Sequence, residues 1–108
     1  MRHAGEVHVG KNSTVLSNAV IVKSVNAAEC TRVGENTIIG IGSTIGHEAQ
    51  IGNNCVISGN CVVARLSNVG DNAWIGSSAV LREHVRVGKS ARVNAGSVVI
   101  ENVGDGES

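Results

Sequence analysis

An aliphatic residue returns at every sixth position from Val9 to Val99. The series runs Val9, Val15, Ile21, Ala27, Val33, Ile39, Ile45, Ile51, Ile57, Val63, Val69, Ile75, Leu81, Val87, Val93 and Val99. Ala27 is its one weak member. An amphipathic helix repeats every 3.6 residues and a strand every two, so neither makes this pattern. A strict short period over most of a chain predicts a repeat fold, in which each unit buries its apolar face against the next.

The other positions refine the unit. The residue after the aliphatic one is often glycine: Gly10, Gly34, Gly40, Gly46, Gly52, Gly70, Gly76 and Gly88. The fourth position is asparagine at Asn12, Asn18, Asn36, Asn54, Asn60, Asn72 and Asn102. Asparagine tolerates left-handed backbone better than other non-glycine residues, so a turn is predicted there in each repeat. The fifth position is mostly small, as at Ser13, Thr37, Cys55, Cys61 and Ala73. Positions one and five share a face of extended backbone. One large and one small inward side chain per short strand suits the interior of a thin prism.

The pattern V-G-x-N-[AST]-x resembles the hexapeptide-repeat family over roughly residues 9 to 104. The resemblance implies an all-β chain, a left-handed parallel β-helix shaped as a triangular prism. Three hexapeptides would form each coil of eighteen residues. That handedness is opposite to the general crossover rule, so it comes from the resemblance alone. About five coils would stack to roughly 25 Å at about 4.8 Å per strand spacing. The expectation is a single domain over 1–108, with a lead-in at 1–8, a tail at 105–108 and no insertion in the register.

Stacking at eighteen predicts columns. Val15, Val33, Ile51, Val69 and Val87 would form one interior column, and Ile21, Ile39, Ile57, Ile75 and Val93 another. Outward, Val20, Ile38, Val56 and Trp74 would form an apolar stripe, with Val62, Val80 and Val98 as a second. A stripe that deep is too apolar for solvent. Family members are usually homotrimers, so the resemblance makes it a subunit interface.

Composition narrows the field. Nine Lys and Arg balance nine Asp and Glu, which gives no electrostatic footprint for nucleic acid. No apolar run is long enough for a membrane span, and the N-terminus lacks an apolar signal segment, so the cytoplasm is the expected location. Phe, Tyr and Pro are absent and Trp74 is the only aromatic, as expected of a narrow aliphatic core. The three cysteines fit no metal or disulfide spacing. Cys55 and Cys61 fall at inward positions, and Cys30 at an outward corner.

Of the four histidines, His3 and His8 precede the clear repeat and His84 lies at a corner among charged neighbours. His47 stands in Ile45-Gly46-His47-Glu48-Ala49-Gln50-Ile51-Gly52. This segment resembles the part of hexapeptide acyltransferases that carries their catalytic histidine. Sugar acetyltransferases of the sialic-acid and bacillosamine type and lipid A acyltransferases are the nearest in motif. The resemblance implies His47 as general base, Glu48 as its partner, and acetyl-CoA or an acyl carrier protein thioester as co-substrate, with no permanently bound cofactor. The acceptor would be a sugar amine or hydroxyl. The eighteen-residue column adds Glu29 below His47 and Arg65 above it as supporting residues.

Other features depart from that pattern. Sugar acetyltransferases of this type usually carry an N-terminal nucleotide-sugar-binding domain, whereas here the coils start almost at once. Relatives continue into a G-x-P-A-[KR] strand where this chain reads Gly104-Asp105-Gly106-Glu107-Ser108. The Gly-His pair that lipid A enzymes carry one coil beyond the catalytic histidine is Arg65-Leu66 here. A minimal or truncated acyltransferase and a non-catalytic trimeric scaffold both fit. The γ-class carbonic anhydrases share the fold, but their His-x4-His zinc spacing, measured from His47, falls on Gly52. A metal is therefore not expected.

Overall fold

The computed structural model describes residues 6–24 and 30–108. They form three parallel sheets of five short strands each. The first sheet holds Val7–Val9, Thr31–Val33, Gln50–Ile51, Asn68–Val69 and Arg86–Val87. The second holds Thr14–Val15, Ile38–Ile39, Val56–Ile57, Trp74–Ile75 and Arg92–Val93. The third holds Val20–Ile21, Thr44–Ile45, Val62–Val63, Val80–Leu81 and Val98–Val99. The chain visits the sheets in turn, one strand each per coil, and so winds a triangular prism.

The period-six aliphatics fill the prism. Val33, Ile39, Ile45, Ile51, Ile57, Val63, Ile75, Leu81 and Val87 are almost wholly buried. Small residues at the fifth position complete each layer, with Ala49, Cys55, Cys61, Ala73, Ala79 and Ala91 buried among them. Where that residue carries a hydroxyl or thiol, it stitches coils together. Ser43 Oγ donates to Ser58 O at 2.6 Å and accepts the Cys61 N–H at 3.0 Å. Thr37 Oγ1 does the same with Gly52 O and the Cys55 N–H.

The turns follow the asparagine pattern. Asn12, Asn18, Asn36, Asn54, Asn60 and Asn72 all have φ between 55° and 64°. Gly42, Glu48, Leu66, Ser78, His84, Ser90 and Gly96 occupy the same left-handed region at the same corner position. The fold imposes this backbone at these corners with several different side chains, whereas Ser24 and Asn102, at the same position of the repeat, do not adopt it.

One expectation fails. From Val33 onward strands pair at an offset of eighteen, as in Val33 with Ile51 and Ile51 with Val69. Between the first two coils the offset is twenty-four: Val9 pairs with Val33, Val15 with Ile39 and Ile21 with Ile45. A whole extra hexapeptide therefore lies between Ile21 and Thr31. Because the insertion is six residues long, it leaves the phase of the repeat intact. Val15 stacks on Ile39 and Ile21 on Ile45, against the predicted columns. The outward stripes change with it. Ile38, Val56 and Trp74 line the second sheet beside Thr14 and Arg92, whereas Val20 belongs to the third sheet with Thr44, Val62, Val80 and Val98. At the other end Val103 bridges to Val87, an offset of sixteen.

Candidate functional site

The extra hexapeptide enters the corner where the third sheet turns into the first, and that corner carries His47. Four residues, Gly46 to Ala49, connect Thr44–Ile45 to Gln50–Ile51. Gly46 is required there, since a Cβ would lie 2.5 Å from the Arg65 backbone nitrogen of the next coil. Ala49 is small and turns inward. His47 stands partly open to solvent, and Glu48 is buried with a φ of 58°.

His47 Nδ1 lies 2.5 Å from Glu48 Oε1. An ionised carboxylate only accepts hydrogen bonds, so it fixes the imidazole proton on Nδ1. Nε2 of the neutral ring then keeps its lone pair. The second carboxylate oxygen, Oε2, accepts from Ser24 Oγ at 3.0 Å. The Glu48 N–H donates to Thr31 Oγ1 at 2.9 Å, and that hydroxyl donates to Val22 O at 2.7 Å. Gln50 Nε2 donates to Cys30 O at 2.6 Å. Both ends of the inserted segment are thus anchored to residues around Glu48.

The structure brings His47 and Glu48 together as the sequence suggested. Arg65 lies exposed in the coil above, where the Leu66 N–H donates to His47 O at 3.1 Å. The place below His47 expected for Glu29 is taken by Lys23, and that below Glu48 by Ser24, because these strands pair at an offset of twenty-four. Glu29 itself falls outside the described residues. Ser24 was missed, since it sits in the inserted segment and belongs to no motif. Cys30, expected at an outward corner, is 2% exposed, with Arg32 Nη2 donating to its sulfur at 3.5 Å. Among the described residues no three His, Cys, Asp or Glu side chains gather as a metal would need. No helix among them is long and apolar enough to cross a membrane.

A prism of parallel short strands, coiled in hexapeptides with glycine and asparagine at its corners, defines a class. The pattern of the bacterial transferase hexapeptide family (six repeats) matches residues 30–65 and 67–101, more than half of the chain. The chain belongs to this hexapeptide-repeat family, and its fold is a left-handed parallel β-helix. Among solved structures, the acetyltransferase domain of PglB from Neisseria gonorrhoeae in complex with acetyl coenzyme A superposes with a TM-score of 0.83 at 23% identity. That match covers 93% of this chain and 46% of the PglB domain. A second structure of the same PglB domain gives 0.84 at 22% identity, over 97% and 48%. A mutant perosamine N-acetyltransferase from Caulobacter crescentus, in complex with CoA and GDP-perosamine, gives 0.59 at 21% identity, over 94% and 51%. The chain therefore spans about half the length of these solved relatives. No curated protein matches it in sequence.

Proposed function

We propose that this chain is the β-helical part of an acyltransferase that moves an acetyl or acyl group from a thioester to a sugar amine or hydroxyl. The observation that carries the reading is the His47–Glu48 pair, with its buried carboxylate and accessible imidazole. The two similar solved proteins described with acetyl coenzyme A or CoA support the thioester as donor. GDP-perosamine in one of them supports a nucleotide-linked sugar as acceptor.

Nε2 of His47 accepts a proton from the acceptor's amine or hydroxyl as its nitrogen or oxygen attacks the thioester carbonyl. The tetrahedral intermediate collapses, the C–S bond breaks, and the thiolate leaves with the proton returned from His47. Glu48 holds the ring's tautomer and stabilises the imidazolium formed midway. Arg65 acts as a supporting group at the same corner, toward an anionic part of the substrate.

Trimerisation belongs to the same reading. Two of the three outward faces are apolar and meet at a corner without charge, built from Gly40-Ile41-Gly42, Ser58-Gly59-Asn60 and Gly76-Ser77-Ser78. Ile41, at this corner, is 57% exposed. Packing these faces around a threefold axis leaves His47 at the outer rim of the third-sheet contact, beside a neighbouring subunit. This lends the corner a second wall.

The test combines calorimetry and turnover. The protein should bind acetyl-CoA or CoA and acetylate an amino sugar nucleotide, and His47→Asn should keep the fold while losing transfer by about a hundredfold or more. An absence of CoA binding at millimolar ligand, together with no transfer, would overturn the reading.

A further inference from the structure

The outward side of the first sheet has a different chemistry from the other two. Its column reads His8, Arg32, Gln50, Asn68 and Arg86 on successive strands. A groove of about 400 Å³ runs along this face, reaching Lys89 at the adjoining corner. That volume is in the range of small-ligand sites. Among the described residues no carboxylate lines the groove, although the chain has as many acidic as basic side chains. Arg32, Arg86 and Lys89 make no ion pair with a described residue. Two corner carboxylates beside the groove's Gly52 and Gly88 are held by backbone N–H groups. Asp71 Oδ1 accepts the Asn53 N–H at 2.8 Å, and Asp105 Oδ1 the Lys89 N–H at 2.9 Å.

We propose that this groove binds a phosphate-bearing ligand, with a diphosphate held by Arg86 and Lys89 and the remainder directed along Asn68 toward Arg32. A guanidinium fork matches two phosphate oxygens at once, and an ammonium adds a point charge beside it. Arg32 lies three strand spacings from Arg86, about 14 Å along the stack. An extended nucleotide fills that length, and inorganic phosphate alone does not. Gln50, in the same groove, follows Glu48 by two residues, so a ligand running along this face approaches the His47 corner. Its identity as substrate rests on the acyl-transfer reading, whereas the anion site rests on the groove alone. The diphosphate comes either from the thioester donor's nucleotide or from a nucleoside-diphosphate sugar.

Titration calorimetry with inorganic pyrophosphate, at low and at raised salt, tests the site without reading transfer. The wild-type protein should bind, more weakly at raised salt. The Arg86→Gln/Lys89→Gln double variant should lose about tenfold or more in affinity, since a charge-assisted hydrogen bond contributes on the order of 2 kcal/mol. Both side chains are exposed, so circular dichroism should be unchanged. Lys11→Gln, one cation removed at a distant coil, should leave binding as it was. CoA and a nucleoside-diphosphate sugar are then titrated against the same variants, and the one whose affinity falls names the source. The proposal is overturned if pyrophosphate fails to bind at millimolar concentration or binds the double variant equally well. It is also overturned if neither organic ligand loses affinity. A protein inactive in transfer that still shows the pyrophosphate pattern would fail the acyltransferase reading and keep the anion site.

Discussion

Ser24 and Glu48, twenty-four residues apart, share a hydrogen bond of 3.0 Å between the Ser24 hydroxyl and Oε2 of the carboxylate. The other oxygen faces His47. The serine therefore fixes the plane of the carboxylate, which in turn fixes the plane of the ring. Ser24→Ala should lower kcat about tenfold, the equivalent of about 1.4 kcal/mol, with KM within about twofold. Ser24→Thr, which keeps the hydroxyl, should restore most of the rate. A purely structural serine would show the same loss in both variants, so steady-state kinetics on the pair decides the point.

The apolar outward faces predict an oligomer that charge can break. Val56→Asp combined with Val80→Asp places a carboxylate on each of two sheets, on outward positions whose strand neighbours are apolar: Ile38 and Trp74 for Val56, Val62 and Val98 for Val80. Light scattering after size exclusion should show a trimer for the wild type and a monomer for the double variant. A wild type that elutes as a monomer at micromolar concentration would remove the interface.

Trp74 offers a local probe of the same face. The Arg92 guanidinium lies 4.6 Å from its ring centroid, a cation–π contact at the end of the stripe. Covering that face should blue-shift the emission of this sole aromatic residue. Dissociation by Val56→Asp/Val80→Asp should shift it back to the red.

The glycines separate into two kinds. A Cβ at Gly40 would lie 2.5 Å from the Ser58 carbonyl carbon, whereas Gly96, with φ of +75°, has nothing within 4 Å of one. Gly40→Ala should destabilise the protein by about 3 kcal/mol, because the neighbouring backbone has nowhere to move. Gly96→Asn should cost less than about 1 kcal/mol, since asparagine accepts left-handed backbone. Chemical denaturation of both variants gives the comparison.

Burial pushes the Cys55 and Cys61 thiols above their ordinary value of 9.0. Raised acid groups stabilise the folded state fully below the unfolded value and lose that contribution as pH climbs toward the folded one. Thermal stability in reducing buffer should therefore hold to about pH 8.5 and fall above pH 9. The Cys55→Ser/Cys61→Ser variant should fall less steeply. Both thiols should also resist alkylation until the protein unfolds.

Most of the fold was legible because the prism interior asks for one large aliphatic residue per strand, and the chain supplies it at fifteen of sixteen places. The left-handed corners were legible in the asparagines. His47 and Glu48 were legible as a pair because adjacency in sequence became adjacency in space. The register change was not. An insertion of one full period leaves Val15 and Val33 in phase, and a six-residue count passes over it. Its one trace was Ala27, too small for an interior position, followed by Ala28 and Glu29 where glycine and a polar corner recur elsewhere. Ser24 stayed hidden for the same reason, since its partner is set by the offset of twenty-four. The basic face went unread, although Arg32, Gln50, Asn68 and Arg86 stand eighteen apart, because only the folded structure brings Lys89 into the same groove.

The extra hexapeptide also bears on how such a chain changes over time. A solenoid of this kind admits extra length at a corner while the layers behind it keep their packing. Here one hexapeptide's worth is held at the seam beside His47, and Ile21 still stacks on Ile45 across it. The surroundings of the histidine can therefore be rewritten by replacing or lengthening that segment, while the prism underneath is left as it is. A new acceptor specificity would need a new loop at one seam, with no second mutation in the core.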